Sequence, residues 1–458
     1  MLRAAGLPVT SRRSTWTSAG WGLRGECGDD VRDAEGQRLN RTGRPSSDQR
    51  HDPREQILQA AGEVFFRNGF ARSSIDMIAA TAHMSKKSIY DAFPSKMAIF
   101  EAAVRRTLEA AQKNLASVDP SGGIAETLAE YGLRLFRGFL DPASFGLFRA
   151  NIVAANQIPE LADDLHALRL AMSRNVADYL MALQADLRLV ADIDPLSAAI
   201  RFGGLAVGGS RYFLGTPLPG REVQAVMVRA AIDLFLNGYG RQITEDAGDS
   251  LSILDTVAEP ALEGTAALRL SPDKLDRLID AAMIEFFDKG YPGASVDRIA
   301  IAVGASKATI YRQFGSKEGL FRFIIRRVIF LSSRAHFVAD LACDVDEAVA
   351  ALARQALDWH LEPWNISMHR LLIQESDLVP DLAEQYHDVR VAVLGRALHR
   401  LLAAHGWPRP DASATRSFYA LATFAVRFLT VQQMPADEQR GQFSREGARL
   451  FLRGYAVI

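Results

Sequence analysis

The chain contains the same unit twice. Residues 57–100 and 278–321 align without a gap at a constant offset of 221, with 17 identities in 44 positions. The same offset carries Arg149, Pro159, Leu161, Ala162, His166 and Arg169 onto Arg370, Pro380, Leu382, Ala383, His387 and Arg390. Farther along, LFLNGYG at 234–240 meets LFLRGYA at 450–456, now at an offset of 216. Nearly everything beyond residue 52 is therefore duplicated, with a net loss of five residues in the second copy. Two homologous domains in tandem follow, joined by the acidic, Ser/Gly/Pro-containing stretch 242–270, which reads as a linker.

Each copy reads as helical. Ile57, Ala60, Ala61, Val64 and Phe65 fall at i, i+3, i+4, i+7 and i+8, one stripe of a helix. Asp52 stands as its N-cap, with Pro53 at the first helical position and Glu55 three residues on. Gly69 and Gly290 close the first helix of each copy, where a positive φ is wanted. Ile75, Ile78, Ala79 and Ala82, mirrored by Val296, Ile299, Ala300 and Val303, make a second stripe, capped by Ser74 and Ser295. The remainder is long helical pattern broken by Pro and Gly, without a convincing period-2 strand. The fold class expected is all-α.

A short helix over 75–82, a three-residue turn and a second short helix over 86–93 make a helix-turn-helix. Ser85 and Ser306 cap the second helix, with Ile89 and Phe93, or Ile310 and Phe314, on its buried side. The outer side then carries Lys86, Lys87, Ser88, Asp91 and Ala92 in copy one, and Lys307, Ala308, Thr309, Arg312 and Gln313 in copy two. A helix of this size fits the major groove of B-DNA with its N-terminal residues at the base edges. Beyond it, Lys96 and Lys317 open a further helix whose free N–H groups suit a phosphate oxygen, as do the hydroxyls of Tyr90 and Tyr311.

The pattern A-x(8)-G-[FY]-x(5)-D-x-I-A-x(5)-S-x(3)-[IL]-Y-x(2)-F-x-S-K, present twice, closely resembles the DNA-binding domain of TetR-type bacterial repressors. The resemblance implies three N-terminal helices for DNA in each copy, then roughly six more for ligand binding and dimerisation. It also implies that Tyr90, Lys96, Tyr311 and Lys317 contact phosphates while the exposed face of the third helix reads bases. In such proteins the last two helices form a four-helix bundle between subunits, which here falls on 195–214 and 221–239 with 412–433 and 439–455. Two departures stand out. His83 occupies the turn position that Gly304 holds in copy two, at a cost of about 1 kcal/mol for positive φ. The acidic residue after the lysine, kept as Glu318, is Met97 in copy one.

Composition narrows the function. With 53 basic and 54 acidic residues the net charge is −1, so DNA binding must come from a local patch. Cys27 and Cys343 alone are too few for a disulfide framework or a zinc ribbon. No apolar run reaches the length that spans a bilayer, and a cytoplasmic protein, nucleoid-associated when bound, is expected. The Arg/Ser/Gly-rich segment 1–52 lacks apolar periodicity and reads as a disordered tail, or as a start codon placed too far upstream. His360 and His369, near Trp359 and Trp364, lack a carboxylate or thiolate at ligand spacing and read as helix packing. No nucleophile elbow, phosphate loop or spaced carboxylate dyad stands out, so neither catalysis nor a cofactor is expected.

The expected organisation is a tail (1–52), a DNA-binding domain (53–98), a helical ligand-binding and dimerisation domain (99–241), the linker (242–270), a second DNA-binding domain (271–319) and a second helical domain (320–458). The expected function is a ligand-responsive regulator, a repressor, acting on a double-stranded operator. The candidate DNA contacts are Ser85, Lys86, Lys87, Ser88, Tyr90 and Lys96, with Ser306, Lys307, Ala308, Thr309, Tyr311, Arg312 and Lys317. Arg149, Trp359 and Arg370 are weaker candidates for an unknown small-molecule effector. A flexible linker of 29 residues averages about 30 Å end to end. The two halves can therefore pair within one chain, and their unlike reading faces imply unlike half-sites. A homodimer of two chains is the competing assembly. A ligand sensor or protein scaffold with degenerate heads is the competing function.

Overall fold

The computed structural model describes residues 52–116, 118–140, 152, 159–190, 192–214, 216–238, 251–261, 270–424, 427–430 and 434–454. The expected tail, apart from Asp52, and the candidate Arg149 lie outside the described residues. In the first copy α1 (Pro53–Arg72), α2 (Ile75–Thr81) and α3 (Lys86–Ala92) form the head, and α4 (Lys96–Ala116) leads into the body. The body adds α5 (Ile124–Leu140), α6 (Pro159–Ala185), α7 (Pro195–Ala206) and α8 (Arg221–Asn237). A helical turn, α9 (Ile253–Thr256), follows. The second copy runs α10 (Pro272–Gly293), α11 (Val296–Ala302), α12 (Lys307–Phe314), α13 (Lys317–Ser333), α14 (Val345–Leu361), α15 (Pro363–Gln374), α16 (Pro380–Ala404), α17 (Ala412–Thr423) and α18 (Asp437–Arg453). The fold is all-α.

Local chemistry sets the boundaries. Asp52 accepts from Arg54 N, Ser74 from Met77 N, Ser85 from Ser88 N and Ser306 from Thr309 N, so each start is held by a side-chain oxygen. Glu55 does not complete a capping box but pairs with Arg106 on α4. Gly69 (φ 69°) and Gly290 (φ 64°) kink α1 and α10 at matching places. His83 (φ 52°) and Gly304 (φ 61°) make the two inter-helix turns.

Ile57, Val64, Phe65, Ile78, Ile89 and Phe100 form a separate core for the first head. Most other buried apolar residues, from both bodies and the second head, belong to one continuous core. The halves meet through α7 against α17 and α8 against α18, and the contacts are reciprocal. The 3₁₀ turn Arg211–Leu214 of the first half touches α16, while its counterpart Arg427–Thr430 in the second touches α6. The contacts are thus exchanged between equivalent elements of two unequal copies. At the centre of this interface the backbones cross almost in contact. A Cβ on Gly238 would lie 2.4 Å from Arg453 backbone atoms, and one on Gly454 would lie 2.4 Å from Leu236 backbone atoms. The stretch read as a linker contributes to this packing. Ile253, Leu254 and Val257 give α9 an apolar side against α16, and Glu259 pairs with Arg327 on α13.

Candidate nucleic-acid interface

The second helix of each helix-turn-helix presents its N-terminal end to solvent. Ser85, Lys86, Lys87 and Tyr90 are exposed in the first head, as are Ser306, Lys307, Ala308 and Arg312 in the second, with Ser88 and Thr309 half-buried beside their caps. Ser85 Oγ and Ser88 Oγ lie 2.8 Å apart, as do Ser306 Oγ and Thr309 Oγ1. These hydroxyls are engaged with one another as well as with the backbone.

One expected position is corrected. Gln313 sits inside, 4% exposed, and its Oε1 accepts from Leu270 N at 3.3 Å. The segment leading into α10 folds over the end of α12, which a reading of the helix alone does not reveal. Tyr311 is also half-buried against the core, while Tyr90 is 53% exposed.

Both recognition helices start with the same ion pair. Lys86 Nζ lies 2.5 Å from Asp76 Oδ1, and Lys307 Nζ lies 2.9 Å from Asp297 Oδ2, residues at the repeat offset. Hydrogen bonding to Asp297 raises the Lys307 pKa. Sequence reasoning named the lysines but missed the aspartates; the identical ten-residue spacing in both copies was the available signal. Lys96 and Lys317 are anchored differently. Lys96 Nζ donates to the carbonyls of Phe70 and Ser73 at 2.9 Å and rests 4.4 Å over the Phe70 ring, and burial pulls its pKa down. Lys317 Nζ donates to Pro292 O at 3.3 Å over Tyr291, also with a lowered pKa from burial. Each lysine neutralises the carbonyl end of its head's first helix and, having three protons, keeps at least one for a phosphate. Arg72 Nη2 reaches Glu375 Oε2 at 3.4 Å, joining the first head to the second copy's α15 end.

The body candidates separate. Arg370 Nε donates to Leu429 O at 2.9 Å, tying α15 to the 3₁₀ turn, and burial lowers its pKa to about 10. Trp359 belongs to a buried polar cluster. The Arg390 guanidinium stacks 3.5 Å over its ring, bonds Asn365 Oδ1 at 2.7 Å, and has no solvent exposure. Its Nη2 and both ring nitrogens of His360 have no hydrogen-bond partner, and no carboxylate pairs with it among the described residues. His360 and His369 stack edge to face at 4.8 Å. Burial, then the Arg390 charge, pushes His360 down to about 3; burial also drives His369 well below its usual value. Arg390 was not singled out from sequence, although it stands at the repeat position of Arg169 within an apolar run. Among the described residues no group of three or more His, Cys, Asp or Glu side chains could hold a metal, and no helix is long and apolar enough to cross a membrane.

Residues 57–103 and 278–324 each match the family of bacterial regulatory proteins, tetR family, and residues 126–241 match the C-terminal domain of AefR-like transcriptional repressors. The chain belongs to the TetR family. Over 78 residues it is 37% identical to the HTH-type transcriptional repressor ComR of Escherichia coli, covering 17% of this chain and 37% of that protein. Over 127 residues it is 28% identical to IcaR, the negative regulator of the biofilm operon icaADBC in Staphylococcus epidermidis, covering 22% of this chain and 69% of that one. A solved TetR-family regulator from Pseudomonas syringae shares 27% identity and a TM-score of 0.33, covering 41% of this chain and 96% of its own. The two TetR-type heads thus sit on one chain, each with the Ser-capped, lysine-tipped helix described above.

Proposed function

We propose that the protein is a DNA-binding transcription regulator, a repressor, whose two TetR-type units pair within one chain and read an operator with unlike half-sites. The observation that carries this is the reciprocal packing of α7 and α8 on α17 and α18, which leaves both lysine-tipped helices exposed. On this reading Lys86, Lys87, Lys307 and Arg312 face the groove, and Tyr90, Lys96 and Lys317 face phosphates. The faces differ at Lys87 against Ala308, Ser88 against Thr309 and Asp91 against Arg312, which favours an asymmetric site. The domain limits expected from sequence are retained as part of this reading. Effector response is assigned to the second body, where Arg390 and His360, beside the Trp359 ring, offer unsatisfied polar groups to a molecule carrying an acceptor. Tethering holds the second half at millimolar effective concentration.

The test is selection from random duplex DNA followed by titration in salt. A regulator using about 6–10 phosphate contacts loses roughly 10³–10⁵ in affinity between 50 and 200 mM salt. A selected perfect palindrome overturns intramolecular pairing, and the absence of saturable binding overturns DNA reading in favour of a sensor or scaffold. Light scattering at micromolar concentration separates the paired single chain from a homodimer.

A further inference from the structure

The interface between the halves carries the same framework on both sides but fills it only once. On one side Arg201 of α7 is buried against α18. Its Nη2 donates to Phe443 O at 2.8 Å and Glu446 Oε2 at 3.2 Å, and its guanidinium lies 4.3 Å over the Phe424 ring. At the offset of 216, the positions of Arg201, Phe424, Phe443 and Glu446 are taken by Ser417, Gly208, Met227 and Ala230. Every one of the four side chains is smaller. The volume they give up is a half-open cleft of about 70 Å³ between α7, α8 and α17. At about 10–15 Å³ per water-sized position, it holds on the order of five heavy atoms.

Two arginines line this cleft and no acidic residue does. Arg211 and Arg416 are both half-buried, and among the described residues neither has an ion-pair or hydrogen-bond partner; the Arg211 guanidinium rests 5.1 Å from the Tyr212 ring centroid. Burial, reinforced by the Arg211 charge, lowers the pKa of Arg416, with Asp388 and Asp411 opposing from beyond pairing distance. Ser413 and Ser417 add hydroxyls, while Leu205 and Met227 supply apolar walls. Two like charges converging on a small recess form the fork that matches an oxyanion.

We propose that this cleft binds one small oxyanion, a carboxylate or a phosphate, through Arg211 and Arg416. Arg211 and Met227 come from the first copy and Arg416 from the second, so occupancy ties the halves together. The inference rests on the pairing of the halves but not on DNA reading, and its test contains no DNA.

The full-length chain is titrated with potassium phosphate and separately with sodium acetate, at ionic strength fixed by chloride, and followed by calorimetry and melting temperature. Saturable binding by either anion is expected, and the anion that binds identifies the source. Arg416→Gln and Arg211→Gln are each expected to weaken binding at least tenfold, and Ser417→Leu, which fills the recess, to abolish it. Arg67→Gln, on the exposed side of α1 in the first head, is expected to leave it unchanged. Should Arg416→Gln fail to fold, Arg211→Gln and Ser417→Leu decide. No response beyond chloride, or undiminished binding in the arginine variants, overturns the proposal. Anion binding by a chain that selects no duplex in the separate DNA selection would leave the cleft in place and refute DNA reading alone.

Discussion

Removing the carboxylate of Glu446 isolates the energetics of the filled side of the interface. Arg201 is 1% exposed in its side chain and Glu446 22%. Arg201 Nε and Nη1 have no partners among the described residues, so the Glu446 carboxylate and the Phe443 carbonyl supply its polar contacts there. Breaking a buried pair by deleting one partner costs about 3–5 kcal/mol, because the other charge stays desolvated. Partial exposure of Glu446 places Glu446→Ala near the lower end, about 3 kcal/mol, including its lost bond from Ser197 Oγ at 2.9 Å. Replacing both partners by leucine removes the stranded charge, and Arg201→Leu/Glu446→Leu is expected within about 1 kcal/mol of the parent. Urea denaturation, read by circular dichroism for the whole chain and by tryptophan fluorescence for the second copy's Trp359, Trp364 and Trp407, measures both. A loss under about 0.5 kcal/mol in Glu446→Ala, or a double variant as unstable as the sum of its singles, would refute the assignment of a desolvated, coupled pair.

Three further outcomes are expected. Gly238→Ala combines a positive φ with a Cβ 2.4 Å from the Arg453 backbone, and about 2–4 kcal/mol of stability should be lost in the same denaturation. Acid should destabilise the second body: the unfolded histidines bind protons below about pH 6.5, whereas the folded His360 resists until about 3, so stability is complete above pH 6.5 and falls as pH drops. His360 alone accounts for about 2 kcal/mol by pH 5, and His360→Leu should flatten that part of the stability profile. Lys317→Ala should weaken DNA binding similarly for all sequences tested and lower the salt slope by about 1, whereas Arg312→Ala should relax preference at one half-site only.

The heads were legible because their requirements are local. A hydroxyl at an N-cap, a residue that tolerates positive φ at position 83 or 304, and apolar spacing of 3 and 4 are properties of a few neighbouring residues, and the repeat displayed each twice. The existence of long helices in both bodies was legible through the repeat and the second offset. Gln313 was not, because its burial depends on Leu270, contributed by a segment that composition marks as a connector. Arg201 and Arg390 were missed for a related reason: an isolated arginine in a helix resembles a solvated one until the helices packed against it are known. The continuous apolar pattern around Arg390, in VRVAVLGRALHRLL, was the one hint that no face of α16 is free. The interface cleft needed both the alignment and the packing, since neither glycine nor alanine announces a missing neighbour.

The crossing of Gly238 and Gly454 has an evolutionary consequence. In a self-paired oligomer every coding change alters both sides of the contact, so an unfavourable change is felt twice and a useful asymmetry cannot arise. Joining the copies lifts that constraint. Backbone crowding tolerates only glycine at both crossing positions, while at equivalent positions farther along the interface the two copies carry different side chains, leaving one side closed and the other receptive.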